Sequence, residues 1–294
     1  MDVSTAVIIP TVGRTFFALN MVMMLVAGTR RPDEIIVVDQ TDADQRNPMA
    51  FANLKSLEAQ GYCRIVEHPV KSLAVARNVG VLEAKADLLI FVDDDAFVPP
   101  GFLESYLEVF NDNQIDAATG MILVGEADHG TIDTTRIHPS QHNGHTMLRG
   151  GNFAVRKRVI EAVGGLDENF IGAANHEDAD LAFRLHQAGC NVVWAPKPWL
   201  FHLNYQGGGG RLKNPFTHRN FAYNLCYFYL RHQGGISPRT LLALLRWRVF
   251  CRDNLIQPWL LFPRLKDFWT GYHLAKIAAT NGPKLPFLVS DATI

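Results

Sequence analysis

Cysteine is scarce in this 294-residue chain: Cys63, Cys190, Cys226 and Cys251 stand 127, 36 and 25 residues apart, with no C-x-x-C pair. That spacing excludes a cysteine zinc site and a disulfide scaffold, and it fits a reducing compartment. Long apolar runs are missing as well. None approaches the roughly 18 uninterrupted residues of a membrane span, and the greasiest late region is broken by Arg246, Arg248, Arg252 and Asp253. At the N-terminus, Met1-Asp2-Val3 leads only to a short apolar run ending at Pro10, too short and too acidic for a signal peptide. A cytoplasmic protein is expected, free to lie peripherally on the inner face of the plasma membrane. No G-x-G-x-x-G follows the first apolar run, which excludes a dinucleotide oxidoreductase.

Acidic residues are scarce in one part of the chain only. Residues 211–294 carry 12 Lys+Arg against Asp253, Asp267 and Asp291, a balance of +9, whereas residues 1–210 carry 16 against 26, a balance of −10. The overall charge of −1 conceals this asymmetry. It suggests an acidic catalytic body and a basic tail that seeks phosphate or an anionic surface. Nothing in the tail matches a motif for reading nucleic acid. Hydrophobic residues make up 48% and charged ones 19%, enough for a sizeable core and too apolar for a disordered chain.

What is there alternates regularly. Ala6–Pro10, Glu34–Asp39, Cys63–Glu67 and Asp87–Asp93 read as strands, separated by helical stretches at Phe16–Ala27, Met49–Gln60 and Leu73–Lys85. The run Asp87–Asp93 is apolar at every interior position, as a strand covered on both faces requires. This order implies an α/β fold with a mostly parallel sheet, right-handed crossovers, and ligands at the carboxyl ends of the strands. Further on, Phe102–Phe110 reads as a helix and Ala117–Val124 as a strand. Residues 125–149 read as a polar, His-rich loop, Asn152–Val155 as a strand and Lys157–Val163 as a helix. Glu177–Ala188 reads as a helix stopped by Gly189, and Asn191–Ala195 as a last strand. Beyond Gly210 the pattern turns helical and aromatic, so a catalytic domain over 1–210 and a basic helical extension over 211–294 are expected.

The strongest chemical signal is Phe91-Val92-Asp93-Asp94-Asp95. Three carboxylates at the end of a buried strand repel one another unless a divalent cation and its phosphate ligand share the charge; the plainer alternative is a capping turn before Phe102. His176-Glu177-Asp178 opens a helix, where carboxylates either favour the helix dipole or supply a general base at the mouth of a site. His202, between Phe201 and Leu203, reads either as a satisfied core histidine or as a ligand.

Taken in order, these pieces resemble the family-2 glycosyltransferases with the GT-A fold. The matching segments are Ile8-Ile9-Pro10-Thr11, Val37-Val38-Asp39, Ala76-Arg77-Asn78-x-Gly80, Asp93-Asp94-Asp95, Gly150-Gly151-Asn152-Phe153, Glu177-Asp178 with Arg184, and His202. They cover roughly residues 5–205. The resemblance implies that Pro10, Thr11, Arg14, Asp39, Arg77, Asn78, Asp93 and Asp94 bind the nucleotide-sugar donor. It implies Asp95 and His202 as ligands of Mn²⁺ or Mg²⁺, Asp178 as catalytic base, and Gly150, Gly151, Asn152 and Glu177 facing the acceptor. The strand-2 signature departs from the family's usual small polar run, reading Gln40-Thr41-Asp42. The expected reaction moves a sugar from a UDP- or dTDP-sugar to a hydroxyl of a glycan or lipid-linked acceptor.

The chemistry of these residue types agrees with such roles. A divalent ion neutralises charge developing on a departing diphosphate, and imidazole suits Mn²⁺ better than Mg²⁺. A base opposite the leaving group implies single displacement with inversion. A sugar-nucleotide pyrophosphorylase normally carries a Gly-rich, basic loop after strand 1, whereas Thr11-Val12-Gly13-Arg14-Thr15 has one Gly and no Lys. A non-catalytic sugar-nucleotide sensor has no use for a base. Three weaker features remain. His138, His142 and His145 read as a zinc cluster or a polar acceptor loop, and Gly207–Gly210 with Arg211 as a lid or a plain connector. Leu241–Phe250 with Trp259–Phe262 reads as helical packing or as an interfacial surface for anionic lipid.

Overall fold

The computed structural model describes residues 3–128, 131–137, 141–142, 145–173, 175–203 and 217–288. Its first part alternates as the apolar pattern predicts: β1 (Thr5–Thr11), α1 (Thr15–Val26), β2 (Glu34–Asp39), α2 (Pro48–Ala59), β3 (Arg64–Glu67), α3 (Leu73–Glu83) and β4 (Leu88–Val92). Local chemistry sets the ends of these elements. At α2, for instance, Asn47 accepts the amide of Ala50 and Pro48 occupies the first turn, where its missing N–H costs nothing. Then come β5 (Ala96–Phe97), α4 (Phe102–Phe110), β6 (Ala117–Asp128), β7 (Thr131–Ile137), β8 (Gln141–His142), β9 (His145–Thr146), β10 (Asn152–Arg156), α5 (Lys157–Ala162), α6 (Glu177–Gln187) and β11 (Val192–His202).

Among the described residues the main sheet runs β3-β2-β1-β4-β10-β6-β11-β5, with β7 paired to β6. The first four strands are parallel, and β10 lies antiparallel between β4 and β6. Alternate residues of β1 feed the two faces. Val7 and Ile9 pack with Leu19 and Val22 of α1 and Tyr106 of α4, whereas Ile8 packs with Phe91, Phe153 and the α3 and α6 residues Ala76 and Leu181. Phe91 and Phe153 stack across β4 and β10 with centroids 4.5 Å apart.

Two expectations are corrected here. Residues 125–149 are not a loop throughout: β6 continues to Asp128 and forms a hairpin with β7. Its sequence, Thr-Ile-Asp-Thr-Thr-Arg-Ile in β7, is β-branched yet polar, so apolar periodicity does not reveal it. The last strand also passes Ala195 and reaches His202, through an irregularity between Ala195 and Trp199. Asn152 belongs to this part of the fold. It is buried, donates to the carbonyls of Met121 (3.0 Å) and Pro198 (2.9 Å), and accepts the Tyr106 hydroxyl at 2.7 Å. These bonds hold the irregular β11 against β10 and α4. His138 and the side chain of His142 lie outside the described residues, and the His145 ring lies 4.5 Å from that of His186.

The extension is helical as expected: α7 (Thr217–His232), α8 (Pro238–Arg248), α9 (Arg252–Ile256) and α10 (Leu261–Asn281). The stretch Gly207–Gly210 with Arg211, and the junction expected there, lie outside the described residues. Tyr227 and Phe228 of α7 pack with Phe268 and Ala275 of α10 and with Phe170 of the body. Among the described residues no helix is long and apolar enough to cross a membrane. The four cysteines are free.

Gly80 marks where α3 crosses β1. A Cβ there would sit 2.3 Å from Ile8 Cγ2. Gly→Ala inside a helix ordinarily stabilises by about 1 kcal/mol, and overpacking costs about 1–3 kcal/mol; overpacking wins here because Ile8 is itself buried in the sheet. Gly80→Ala is therefore expected to lower stability by about 1–2 kcal/mol in urea denaturation; stability at or above wild type would refute the close contact.

Candidate active site

The turn between β4 and β5 carries the three carboxylates, and they face different partners. Asp94 turns to one side. It accepts the Thr11 hydroxyl at 2.7 Å and meets Arg14 Nη1 at 3.2 Å. Asp93 and Asp95 turn to the other, where His202 Nε2 lies 3.5 Å from Asp93 Oδ2 and 3.2 Å from Asp95 Oδ1. His202 arrives through β11, whose end pairs antiparallel with β5, His202 opposite Ala96. The Leu203 amide then donates to the Asp95 carbonyl at 2.9 Å. Ligand atoms of Asp93, Asp95 and His202 all lie within 4.8 Å of one another. Two carboxylates and an imidazole suit a divalent ion. Asp93 joins this set, although the sequence assigned it to the donor.

The charges here are strongly coupled to burial. Burial pushes the Asp94 carboxyl up to about 7, against the pull of Arg14 and Thr11. Asp95 is also raised by burial, but the hydrogen bond and charge of His202, with Arg14, take it below the usual carboxylate range. Burial works to lower His202, yet Asp93 and Asp95 outweigh it and carry the imidazole up to about 10.

Behind Asp93 lies Arg77, only 1% exposed. Its guanidinium donates to Glu177 Oε1 (2.7 Å), Asp93 Oδ1 (3.3 Å) and the Gly150 carbonyl (2.5 Å). Gly150 in turn donates its amide to Asp178 Oδ2 at 2.7 Å, while Asp178 Oδ1 accepts the Ala179 amide at 2.8 Å. The carboxylate of Asp178 is thus aimed by two backbone N–H groups at the start of α6. Burial, and then the neighbouring Asp178, lift the Glu177 carboxyl, with Arg77 opposing. Before α6, His176 adopts φ +76°, the left-handed region, and its ring lies over Phe228 at 5.3 Å.

Two adjoining chambers result. Pro10, Thr11, Arg14, Asp94 and Asp95 line the first, with Gln40, Lys71, Ser72 and Gly172, which the sequence did not single out. Gly150, Gly151, Glu177 and Asp178 line the second, with Arg149, Asn175 and His176. Leu73, Asp93, Ala173 and His202 line both. Three expected donor contacts sit elsewhere. Arg77 belongs to the wall of the second chamber, because its charge is taken up by Glu177, Asp93 and Gly150. Asn78 bonds the main-chain N–H and C=O of Leu166 and the carboxylate of Glu168. Asp39 is buried against Arg46 (2.9 Å) and the Thr41 amide. The local signal for Gln40, Lys71 and Ser72 was only that they follow strands at the sheet's carboxyl edge.

Residues 6–164 match the family described as glycosyl transferase family 2, and residues 88–250 match glycosyl transferase family group 2. The chain belongs to glycosyl transferase family 2. Among curated relatives, the pre-mycofactocin glycosyltransferase of Mycobacterium tuberculosis is 27% identical over 151 residues, 47% of this chain and 32% of that protein. The O-antigen biosynthesis protein RfbC of Myxococcus xanthus is 24% identical over 222 residues, 67% of this chain and 17% of that protein. The chain therefore spans a third or less of the curated relatives it matches. In structure it resembles the mannosyltransferase PcManGT of Pyrobaculum calidifontis, solved with GDP-Man and Mn²⁺: TM-score 0.58, 15% identity, 98% of this chain and 78% of that one. It also resembles GalNAc-T7, solved with UDP, GalNAc and Mn²⁺, at TM-score 0.57 and 16% identity over 81% of this chain and 53% of that one. This family member has the GT-A fold.

Raising His202 above its ordinary 6.5 has a definite sign. The folded state holds the proton more tightly than the unfolded chain. The stabilisation is complete below about pH 6.5 and is lost as pH rises through about 10. In metal-free protein, stability measured by urea denaturation is expected to fall across this window. His202→Ala should flatten the fall; an unchanged pH slope in that variant would show that the histidine does not carry it.

Proposed function

We propose that this chain is an inverting, metal-dependent glycosyltransferase with Asp178 as its general base. The observation that carries the reading is the pair of adjoining chambers. One opens onto the Asp93, Asp95 and His202 donor set, the other onto an oriented carboxylate. Asp93, Asp95 and His202 would hold a divalent ion, Mn²⁺ before Mg²⁺, which supplies Lewis-acid neutralisation of a departing diphosphate. The donor is a UDP- or dTDP-sugar seated along Pro10, Thr11, Gln40 and Ser72.

Asp178 takes the proton of an acceptor hydroxyl. The hydroxyl oxygen bonds to the anomeric carbon, the bond from that carbon to the diphosphate oxygen breaks, and the nucleoside diphosphate leaves. The two backbone N–H groups on Asp178 fix its direction, so that proton removal needs no search. Gly150 and Gly151 suit this turn because side chains would collide. A Cβ at Gly151 would lie 2.9 Å from Asp93 Oδ2, and one at Gly150 3.2 Å from the Arg77 nitrogens.

The test is a panel of nucleotide sugars assayed for Mn²⁺-dependent transfer or hydrolysis. Asp178→Asn is expected to lower turnover by at least about 10²-fold, within the general-base range, with donor affinity by calorimetry nearly unchanged. A fall in affinity that tracks the rate would make Asp178 a donor ligand instead. Full activity in Asp178→Asn would remove Asp178 as the base, whereas donor binding by wild type without transfer or hydrolysis would favour a sugar-nucleotide-binding protein.

We assign the acceptor side to a glycan or a lipid-linked sugar presented at a membrane surface. Supporting this, α8 to α10 expose Leu242, Ile256, Trp259 and Phe262 at 65–76%, beside exposed Arg239, Arg246, Arg252 and Lys266. Aromatic and aliphatic tips among cations suit an anionic leaflet, each cation near it adding about 1 kcal/mol. Arg248 is not one of these: it is half-buried, stacked between Trp247 (4.1 Å) and Phe221 (4.5 Å). The protein is expected to co-sediment with anionic liposomes, weakly with neutral ones, and to be released by salt. Charge reversal at Arg239, Arg246 and Arg252 should weaken binding without altering donor hydrolysis. No binding to anionic vesicles at low salt would point to a soluble acceptor.

A further inference from the structure

Among the described residues, the stretch from 163 to 173 between α5 and α6 forms no helix or strand, so its polar groups need partners from elsewhere. On one side it is tied to the start of α3: the Leu73 amide donates to the Gly172 carbonyl at 3.0 Å, and the Ser72 hydroxyl to the Phe170 carbonyl at 3.3 Å. On the other side its partners come from the C-terminal helices and the turn after α10. Tyr227 donates its hydroxyl to buried Asp167 at 2.7 Å, and Asn169 Nδ2 donates to that hydroxyl and to the Gly282 carbonyl, both at 2.9 Å. Asn224, 1% exposed, does more than anchor one atom. Its Oδ1 accepts the Ile171 amide and its Nδ2 donates to the Ile171 carbonyl, both at 3.0 Å. The carboxamide occupies the place of a neighbouring strand.

Next to Ile171 stand Gly172, in the left-handed region at φ +67°, and Ala173. Gly172 lines the donor chamber and Ala173 lines both chambers. We propose that Asn224 is a positioning residue. By gripping both main-chain groups of Ile171, it fixes the wall shared by donor and acceptor, which makes the C-terminal helices part of the catalytic unit. This rests on the transferase reading of the two chambers. A carboxamide presents a donor and an acceptor in one plane, and the N–H and C=O of a single extended residue need both.

The experiment compares Asn224→Ala with Asn254→Ala. Asn254 is also buried, but its Nδ2 caps the carbonyls of Val249 (2.9 Å) and Arg248 (3.2 Å), within the extension. In Asn224→Ala, hydrogen exchange at the Ile171 amide should accelerate by about tenfold or more. The KM values for donor and acceptor should rise by about fivefold to tenfold with kcat less affected. Asn254→Ala should lose comparable thermal stability and leave Ile171 exchange and both KM values alone. Asn224→Asp supplies a rescue. Its carboxyl, when protonated, offers the same donor and acceptor, so relative to wild type it should recover near about pH 5 and match Asn224→Ala near about pH 8. This variant also carries the test should Asn224→Ala fail to fold. Unchanged KM values in Asn224→Ala, or equal changes in Asn254→Ala, would overturn the proposal. If wild type binds UDP with Mn²⁺ yet transfers no sugar, the transferase reading falls. Ile171 exchange and UDP affinity in the variants then still decide the role of Asn224.

Discussion

The Arg77 guanidinium sits almost wholly out of water, and it can do so only because Glu177, Asp93 and the Gly150 carbonyl surround it. Those partners belong to α6, to the end of β4 and to the turn before β10. Three separate pieces of chain are therefore held at one point. Removing one partner of such a buried pair costs about 3–5 kcal/mol, because a charge is left behind without compensation. The planar fork of arginine is what lets one side chain reach all three, and lysine has no equivalent. Asp178 depends on this arrangement at one remove, through the Gly150 amide that aims it.

A second constraint is the repulsion among Asp93, Asp94 and Asp95. The chain separates them by direction, giving Asp94 to Thr11 and Arg14 and the other two to His202. Arg14 also reaches Asp95 Oδ2 at 3.0 Å, so a cation flanks the cluster on each side. Metal and diphosphate chemistry suits a site already organised to keep carboxylates close. The same crowding explains why burial moves Asp94 up and the paired Asp95 down.

The extension is tied into this centre by polar contacts as well as by packing. His232 of α7 meets Asp180 at 2.8 Å, and Asp180 also pairs with Arg184, so α6 is held two residues beyond Asp178. Its outer helices present aromatics and cations, while its inner face packs Tyr227 against Phe170 at 5.1 Å. One set of helices thus has two faces with different chemistry.

Strands β1 to β4 and their helices were legible in the sequence because buried parallel strands are continuous apolar runs, and the carboxylates at 93–95 stood out at the end of one. The ordered motifs also carried the family. The β6–β7 hairpin was not legible, since its polar β-branched residues show no apolar period. Nor could spacing reveal that His202 meets Asp95, 107 residues earlier, which depends on a two-residue strand pairing with the end of β11. Motif membership placed Arg77, Asn78 and Asn152 near the site, but it did not show which backbone groups and carboxylates each of them bonds. The sequence by itself determined the alternating fold, the chemistry of the cluster at 93–95 and the charge of the tail, because these are properties of neighbouring residues. Only the tertiary structure decided which carboxylate faces which partner, because side-chain direction follows from strand register and from the buried hydrogen bonds that each group must find.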